Sequence, residues 1–251
     1  MDALDLYKIR VFAKGSTKRN AILQRERRTL TRKLPDSLSH KNVVIEGVER
    51  WLEIIDSDNL DTKTIHTLPG EDIECGAIVD WAENRWIVTE KDANTELYAK
   101  AKMRQCNYLL KWINDAKEIC EQWCIVEDGT KYLTGEIEDR NIVITRGDSR
   151  IALILPRTTE TIKLGRTSRF LIDDPLADDK IAYTLSKPLK IGQVYNGKGV
   201  FGFVLQEVQA TDYDNMELGI ADYYRYFNKS GELIDSVANE PGSVLGKKVW
   251  I

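Results

Sequence analysis

Hydrophobic and polar positions change their period along this chain. Over residues 16–34 charged and straight-chain side chains dominate, no Gly or Pro interrupts, and Leu23, Leu30 and Leu34 recur at spacings of seven and four. That spacing places three leucines on one face of a helix. Ser16 or Thr17 can cap its start, and Gly15 and Pro35 punctuate its ends. The apolar stripe is thin, so such a helix needs a surface to lie on. From Asn42 the period falls to two. Segments 42–45 and 51–55 are rich in β-branched and aromatic residues, and 63–68 is a strand ended by the turn pair Pro69-Gly70. Segments 77–82 and 85–89 read as a hairpin across Glu83-Asn84, since Asn tolerates positive φ.

Residues 97–104 alternate strictly between apolar and polar, although their types favour helix. The alternation predicts one long strand that runs on to Trp112. After 115–122 a second β-rich region begins. Asp128-Gly129 predicts a hairpin between 123–126 and 131–135, and 146–149 another between 141–145 and 150–155. Short strands at 161–164, 168–172, 181–185 and 200–208 have the spacing of a sandwich or barrel. A short helix centred on 217–224 and a packed end at Val249-Trp250-Ile251 complete the reading. The pattern predicts a mainly β protein with four parts. These are a basic N-terminal arm and helix (1–38), a β-barrel (39–117), a second β-sandwich or barrel-like region (118–211) and a C-terminal segment (212–251).

Composition narrows the classes. Hydrophobic residues at 42% and charged residues at 30% exclude wholesale disorder. No stretch approaches the ~20 apolar residues of a membrane span, and the acidic start Met1-Asp2-Ala3-Leu4-Asp5 is not a secretory signal core. Cys75, Cys106, Cys120 and Cys124 lack CxxC spacing and a nearby histidine pair, which predicts reduced, mostly buried thiols. The net charge of −4 hides an asymmetry: residues 1–34 carry ten Lys/Arg against three Asp/Glu. The candidate contact residues are therefore Lys18, Arg19, Arg25, Arg27, Arg28, Arg32 and Lys33. A basic arm on an acidic body holds nucleic acid or docks on an acidic neighbour, and a solvated helix face is the plainer alternative.

Reactive chemistry finds little support in the sequence. The histidines are His40 and His66, and Cys124 sits in Gln122-Trp123-Cys124 without a glycine-bracketed nucleophile turn. Segment 242–248 is one residue short of a phosphate loop and lacks the final Ser/Thr. Segment 212–217 holds three carboxylates but no glycine turn, which suits capping and turn formation better than calcium. Arg146-Gly147-Asp148 reads as hairpin chemistry, and no carboxylate pair stands out for glycoside hydrolysis. Trp51, Trp81, Trp86, Trp112 and Trp123 fall in strand-like segments and predict core or interface packing, with a carbohydrate platform as the alternative. No catalytic, cofactor-binding or metal residue is assigned, and a non-enzyme without cofactors is expected.

Several segments together resemble structural proteins of long-tailed bacteriophages, of the head-closure or head–tail connector type. They are 76–81, 85–90 and 99–105 leading into 106–112. Tyr7-Lys8-Ile9-Arg10 before a polar helix, 161–164 with 169–172, and 219–224 are also similar. The resemblance implies a β-barrel adaptor in the virion neck, assembled in the host cytoplasm. Its partners would be copies of itself in a ring, the portal protein, tail or neck proteins and phage DNA in the channel, with no membrane and no small-molecule substrate. The second β-rich region, 119–209, departs from a minimal head-closure barrel. A tail or capsid-associated module that recognises carbohydrate or a host surface is the alternative.

Overall fold

The computed structural model describes residues 17–93, 95–128, 150–174, 176–178 and 180–234, together with Leu4 and Tyr7. The expected strands at 131–135 and 141–145, Arg146-Gly147-Asp148, the glycine-containing segment 242–248 and the terminal strand lie outside the described residues.

The described chain opens with helix α1 (Lys18–Lys33), capped by Thr17, whose side chain accepts from the Asn20 N–H at 3.2 Å. A 3-10 turn at Leu34–Asp36 follows, with Pro35 inside it. Six antiparallel strands then form a closed barrel: β1 (His40–Ile45), β2 (Val48–Asp56), β3 (Thr62–Thr67), β4 (Ile78–Trp81), β5 (Asn84–Lys91) and β6 (Lys100–Gln105). Their order is β1-β2-β3-β6-β5-β4, and β4 returns to β1 through the pairs Val44↔Asp80 and Ile45↔Val79. Alternation fills the interior with Val43, Ile45, Leu52, Ile54, Ile65, Val79, Trp86, Val88, Ala101 and Met103.

Among the described residues a second sheet of six strands follows: β7 (Tyr108–Ile113), β8 (Ile119–Asp128), β9 (Arg150–Pro156), β10 (Arg169–Ile172), β11 (Ile181–Tyr195) and β12 (Lys198–Val208). Its order is β10-β11-β12-β9-β8-β7. It curls until its edge strands approach, and the Tyr108 hydroxyl on β7 donates to the Leu171 carbonyl on β10 at 3.1 Å. The protein is thus mainly β: an N-terminal helix, a closed barrel and a nearly closed second one.

Four local expectations are corrected. The long strand over 97–112 is two strands in two different sheets, divided at Cys106-Asn107. The second sheet therefore begins at Tyr108. Asn107 makes the crossover: its side-chain amide donates to the Val126 carbonyl and accepts from the Val126 N–H, both at 2.8 Å, as a backbone partner of β8 would. The β4–β5 turn is Ala82-Glu83, not Glu83-Asn84, because Trp81 pairs with Asn84. Both turn residues take positive φ, 52° and 62°, the geometry that matches strand twist. Residues 161–164 form a tight turn instead of a strand. Thr161 is buried there, donates to the Pro156 carbonyl at 2.8 Å and accepts from the Thr158 N–H at 2.7 Å. Residues 217–224 hold turns, with only a 3-10 turn at Tyr223–Arg225, because Gly219 and Asp222 take positive φ, 68° and 55°, and Asn215 and Ile220 exchange backbone hydrogen bonds across the turn.

The two barrels share an apolar contact. Ile87 of β5 and Ile125 of β8 point away from their own barrel interiors and meet Cys106 and Val200. This is why β5 reads as a continuous apolar run, buried from Trp86 to Thr89. Gly76 and Gly199 bring backbone against backbone: a Cβ on Gly76 would lie 2.2 Å from the Gly199 carbonyl oxygen. Around this seam Lys198 pairs with Glu74 at 2.8 Å, and Arg104 pairs with Glu127 and reaches Asp61 at 3.5 Å.

Candidate interaction surface

All seven basic candidates lie on α1, which is sixteen residues long and contains one acid, Glu26. Leu23 and Leu30 are half-buried and Leu34 is buried, so the expected leucine face is the one turned to the body. At 100° per residue, Lys18, Arg25, Arg28 and Arg32 share another face with Ile22, which is 52% exposed. The helix rests on few contacts. Arg19 pairs with Glu96, and Arg27 donates to the Glu96 carbonyl at 2.6 Å. Arg27, Arg28, Thr31 and Arg32 line a groove of about 360 Å³ against the Pro69-Gly70 turn.

The charge on α1 opposes its own helix. Lys18 and Arg19 sit in the first turn, at the positive end of the macrodipole, and the first turn holds no acid. Arg25, Arg28 and Arg32 repel each other at i,i+3 and i,i+4 spacing. A bound anionic surface relieves both terms. Only Arg32 and Lys33, in the last turn, suit the dipole.

A second feature joins the barrels. A cleft of about 470 Å³ is lined by Asn42, Asp80, Trp81, Arg85, Cys106 and Trp123, among others. Asp80 pairs with Arg85 through one carboxylate oxygen, and its other oxygen is buried without a partner. The tryptophans do not form one platform. Trp86 and Trp112 are in separate barrel cores, Trp51 stacks on His40 at 5.1 Å, and Trp81 tilts against Trp86 at 5.5 Å.

Of the carboxylates of 212–217, Asp214 takes the turn-forming role that the sequence suggested and adds an ion pair with Arg169 that it did not single out. Asp214 is buried and accepts from both terminal nitrogens of Arg169, at 2.9 and 3.1 Å, and from the N–H groups of Thr211 and Asp222, each at 2.8 Å. Arg169 also binds Asp222 at 2.9 Å, and Asp222 binds Arg225. Burial alone would raise the Asp214 carboxyl. The Asp222 and Thr211 N–H groups and the Arg169 guanidinium outweigh it and hold the carboxyl below the usual range. The four thiols are free, and three are buried. Burial pushes the Cys106 thiol up to about 12 and Cys124 further, the opposite of an activated nucleophile. Among the described residues no three His, Cys, Asp or Glu side chains gather as metal ligands. No described helix is long and apolar enough to cross a membrane.

Residues 10–105 match the YomX N-terminal domain, a family derived from the YomX protein of Bacillus phage SPBc2. The matched span takes in α1 and the whole closed barrel, and stops where β6 stops. No curated protein and no solved structure matches the chain.

Proposed function

We propose that this chain is a structural protein of a phage virion, a head–tail connector of the head-closure type. It forms a ring below the portal, joins head to tail and surrounds the DNA channel, and it runs no reaction of its own. The observation that carries the reading is α1: a helix with seven cations and one acid, four of the cations on one face with the exposed Ile22, lying against a body of two packed barrels. The phage-derived match over residues 10–105 supports a phage setting. A ring of identical copies needs a heterologous interface repeated by rotation, and two barrels packed on one another set the angle between the two surfaces that meet in it. The basic helix then docks on the portal, on a neck neighbour or along DNA.

Electron microscopy of the particle tests this: density for both barrels beneath the portal is the expected result, and absence from the neck ends the proposal. Reversing Arg25, Arg27 and Arg28 to Glu is expected to leave heads and tails unjoined or DNA unretained. Normal infectious particles from that mutant would remove α1 from the docking role.

One observation favours the second reading, a tail or capsid-associated module that recognises carbohydrate. The cleft between barrels sets Trp81 and Trp123 beside Asp80, Asn84 and Arg85, an aromatic wall with polar edges. Binding of the purified chain to a glycan array, lost in Trp81→Ala, would favour that reading over the connector.

A further inference from the structure

Two exposed patches of opposite charge, one on α1 and one on the β2–β3 loop, lie beyond opposite ends of the β3–β6 ladder. The β3–β6 ladder runs from Thr62↔Arg104 to His66↔Lys100, about 13 Å at the usual strand rise. Helix α1 sits beyond the His66↔Lys100 end, since its contacts are Glu96, just before β6, and Pro69-Gly70, just after β3. Beyond the other end projects the β2–β3 loop, where Asp56, Asp58 and Asp61 are exposed. Within that loop Leu60 is 88% exposed, at a turn closed by the Thr62 N–H on the Asn59 carbonyl.

The two patches complement each other in chemistry. One is a turn of carboxylates around an exposed leucine; the other is a helix face of Lys18, Arg25, Arg28 and Arg32 around an exposed isoleucine, Ile22. Among the described residues no ion pair joins them within one copy. Asp56 binds Lys63, Asp61 reaches Arg104, and the helix reaches Glu96. Patches that differ from each other and lie beyond opposite ends of the ladder suit a head-to-tail contact, the kind that closes into a ring when the rotation allows.

We infer that the acidic β2–β3 loop of one copy seats on the basic face of α1 of the next. This deepens the ring reading by naming the surfaces that meet. A second copy fits this face better than a duplex does. Ile22 among the cations has an apolar counterpart in Leu60, which a phosphate backbone lacks, and the rest of the chain is acidic and repels DNA.

Sedimentation velocity of the full chain, at low salt and over a range of concentration, tests the inference with two charge-reversed variants. One carries Arg25→Glu, Arg28→Glu and Arg32→Glu; the other carries Asp56→Lys and Asp58→Lys. Circular dichroism and melting temperature establish that both are folded. The wild-type chain is expected to associate, more weakly as salt rises. Each variant alone places like charges across the contact and is expected to associate at least about tenfold more weakly. An equal mixture restores opposite charges at every contact and is expected to recover association. Three results overturn the inference: a wild type that stays monomeric, variants that associate as the wild type does, or a mixture that does no better than its parts. So does helix-dependent binding of duplex DNA while self-association is untouched by either reversal. If the variants associate normally but the chain is found in the virion neck, this contact fails while the connector reading survives.

Discussion

The two barrels close by different means. The first closes through its backbone: β4 pairs with β1, so each edge strand has a partner. The second leaves β7 and β10 without a ladder and bridges them with side chains, Tyr108 to the Leu171 carbonyl. Beside that seam the segment after β12 is folded back by Arg169, which begins β10 and gathers Asp214, Asp222 and the Gln209 carbonyl. Backbone closure tolerates substitution, since any residue but proline supplies it. Side-chain closure depends on particular groups and their charge. The second barrel is therefore the more fragile of the two to substitution and to acid.

The largest expected effect comes from Arg169→Ala. It leaves the Asp214 carboxylate buried without its counter-ion and is expected to cost about 3–5 kcal/mol. Hydrogen exchange should then show lost protection in β10–β12 with β1–β6 retained; equal loss in both barrels would break the comparison. Acid acts on the same network. The Asp214 carboxyl is depressed in the folded state, so its stabilisation is full above the unfolded value near 3.8 and is lost as pH falls through the lower folded value. Asp72 in the first barrel is also depressed, by its hydrogen bond from Lys91, but its side chain is 67% exposed and solvent screens the pair. Titration below pH 3.8 followed by exchange should open the second barrel first.

Gly76→Val attacks the seam between barrels. The residue has φ +88°, and its Cβ would overlap the Gly199 carbonyl, so a loss of about 2–3 kcal/mol is expected in urea unfolding. If the barrels unfold in one transition in the wild type and in two in this variant, the seam is what couples them. Asn107→Ala removes both hydrogen bonds at the crossover, which lie where water can replace them; about 1–2 kcal/mol is expected from chemical denaturation. Tyr108→Phe deletes one hydrogen bond at the open edge and should cost about 1 kcal/mol, read as a small fall in melting temperature.

Period and turn chemistry carried much of this fold. The α1 leucines and the alternation of β1–β3 were legible because a local period reports the face that is turned inward, whereas β5 was legible only as an apolar run, since its second buried face is covered by the other barrel. The turn at Asn196-Gly197, with φ 51° and 79°, carries an Asn-Gly signal that was there to be used and would have joined β11 to β12. The break at Cys106-Asn107 had no such signal. Its cue was a change of phase: the apolar positions are odd at Ala99, Ala101 and Met103 and even at Cys106, Tyr108, Leu110 and Trp112, with an asparagine at the join able to stand in for backbone.

The basic surface was legible as a stretch of sequence, but its meaning was not. Lys18, Arg19, Arg25, Arg27, Arg28, Arg32 and Lys33 could be named from charge alone, and helix period puts four of them on one face with Ile22, while which face is left exposed and which residues reach Glu96 depends on how the helix leans. The Arg169–Asp214–Asp222 network joins residues more than forty positions apart, and nothing local marks them as partners. Sequence by itself determined the elements that neighbours in the chain bury: the helix, most strands, and the charge each presents. Tertiary structure alone decided which barrel each strand joined, how the second barrel was held shut, and which charges were left facing outward. Those outcomes rest on long-range contacts whose energies no local pattern contains.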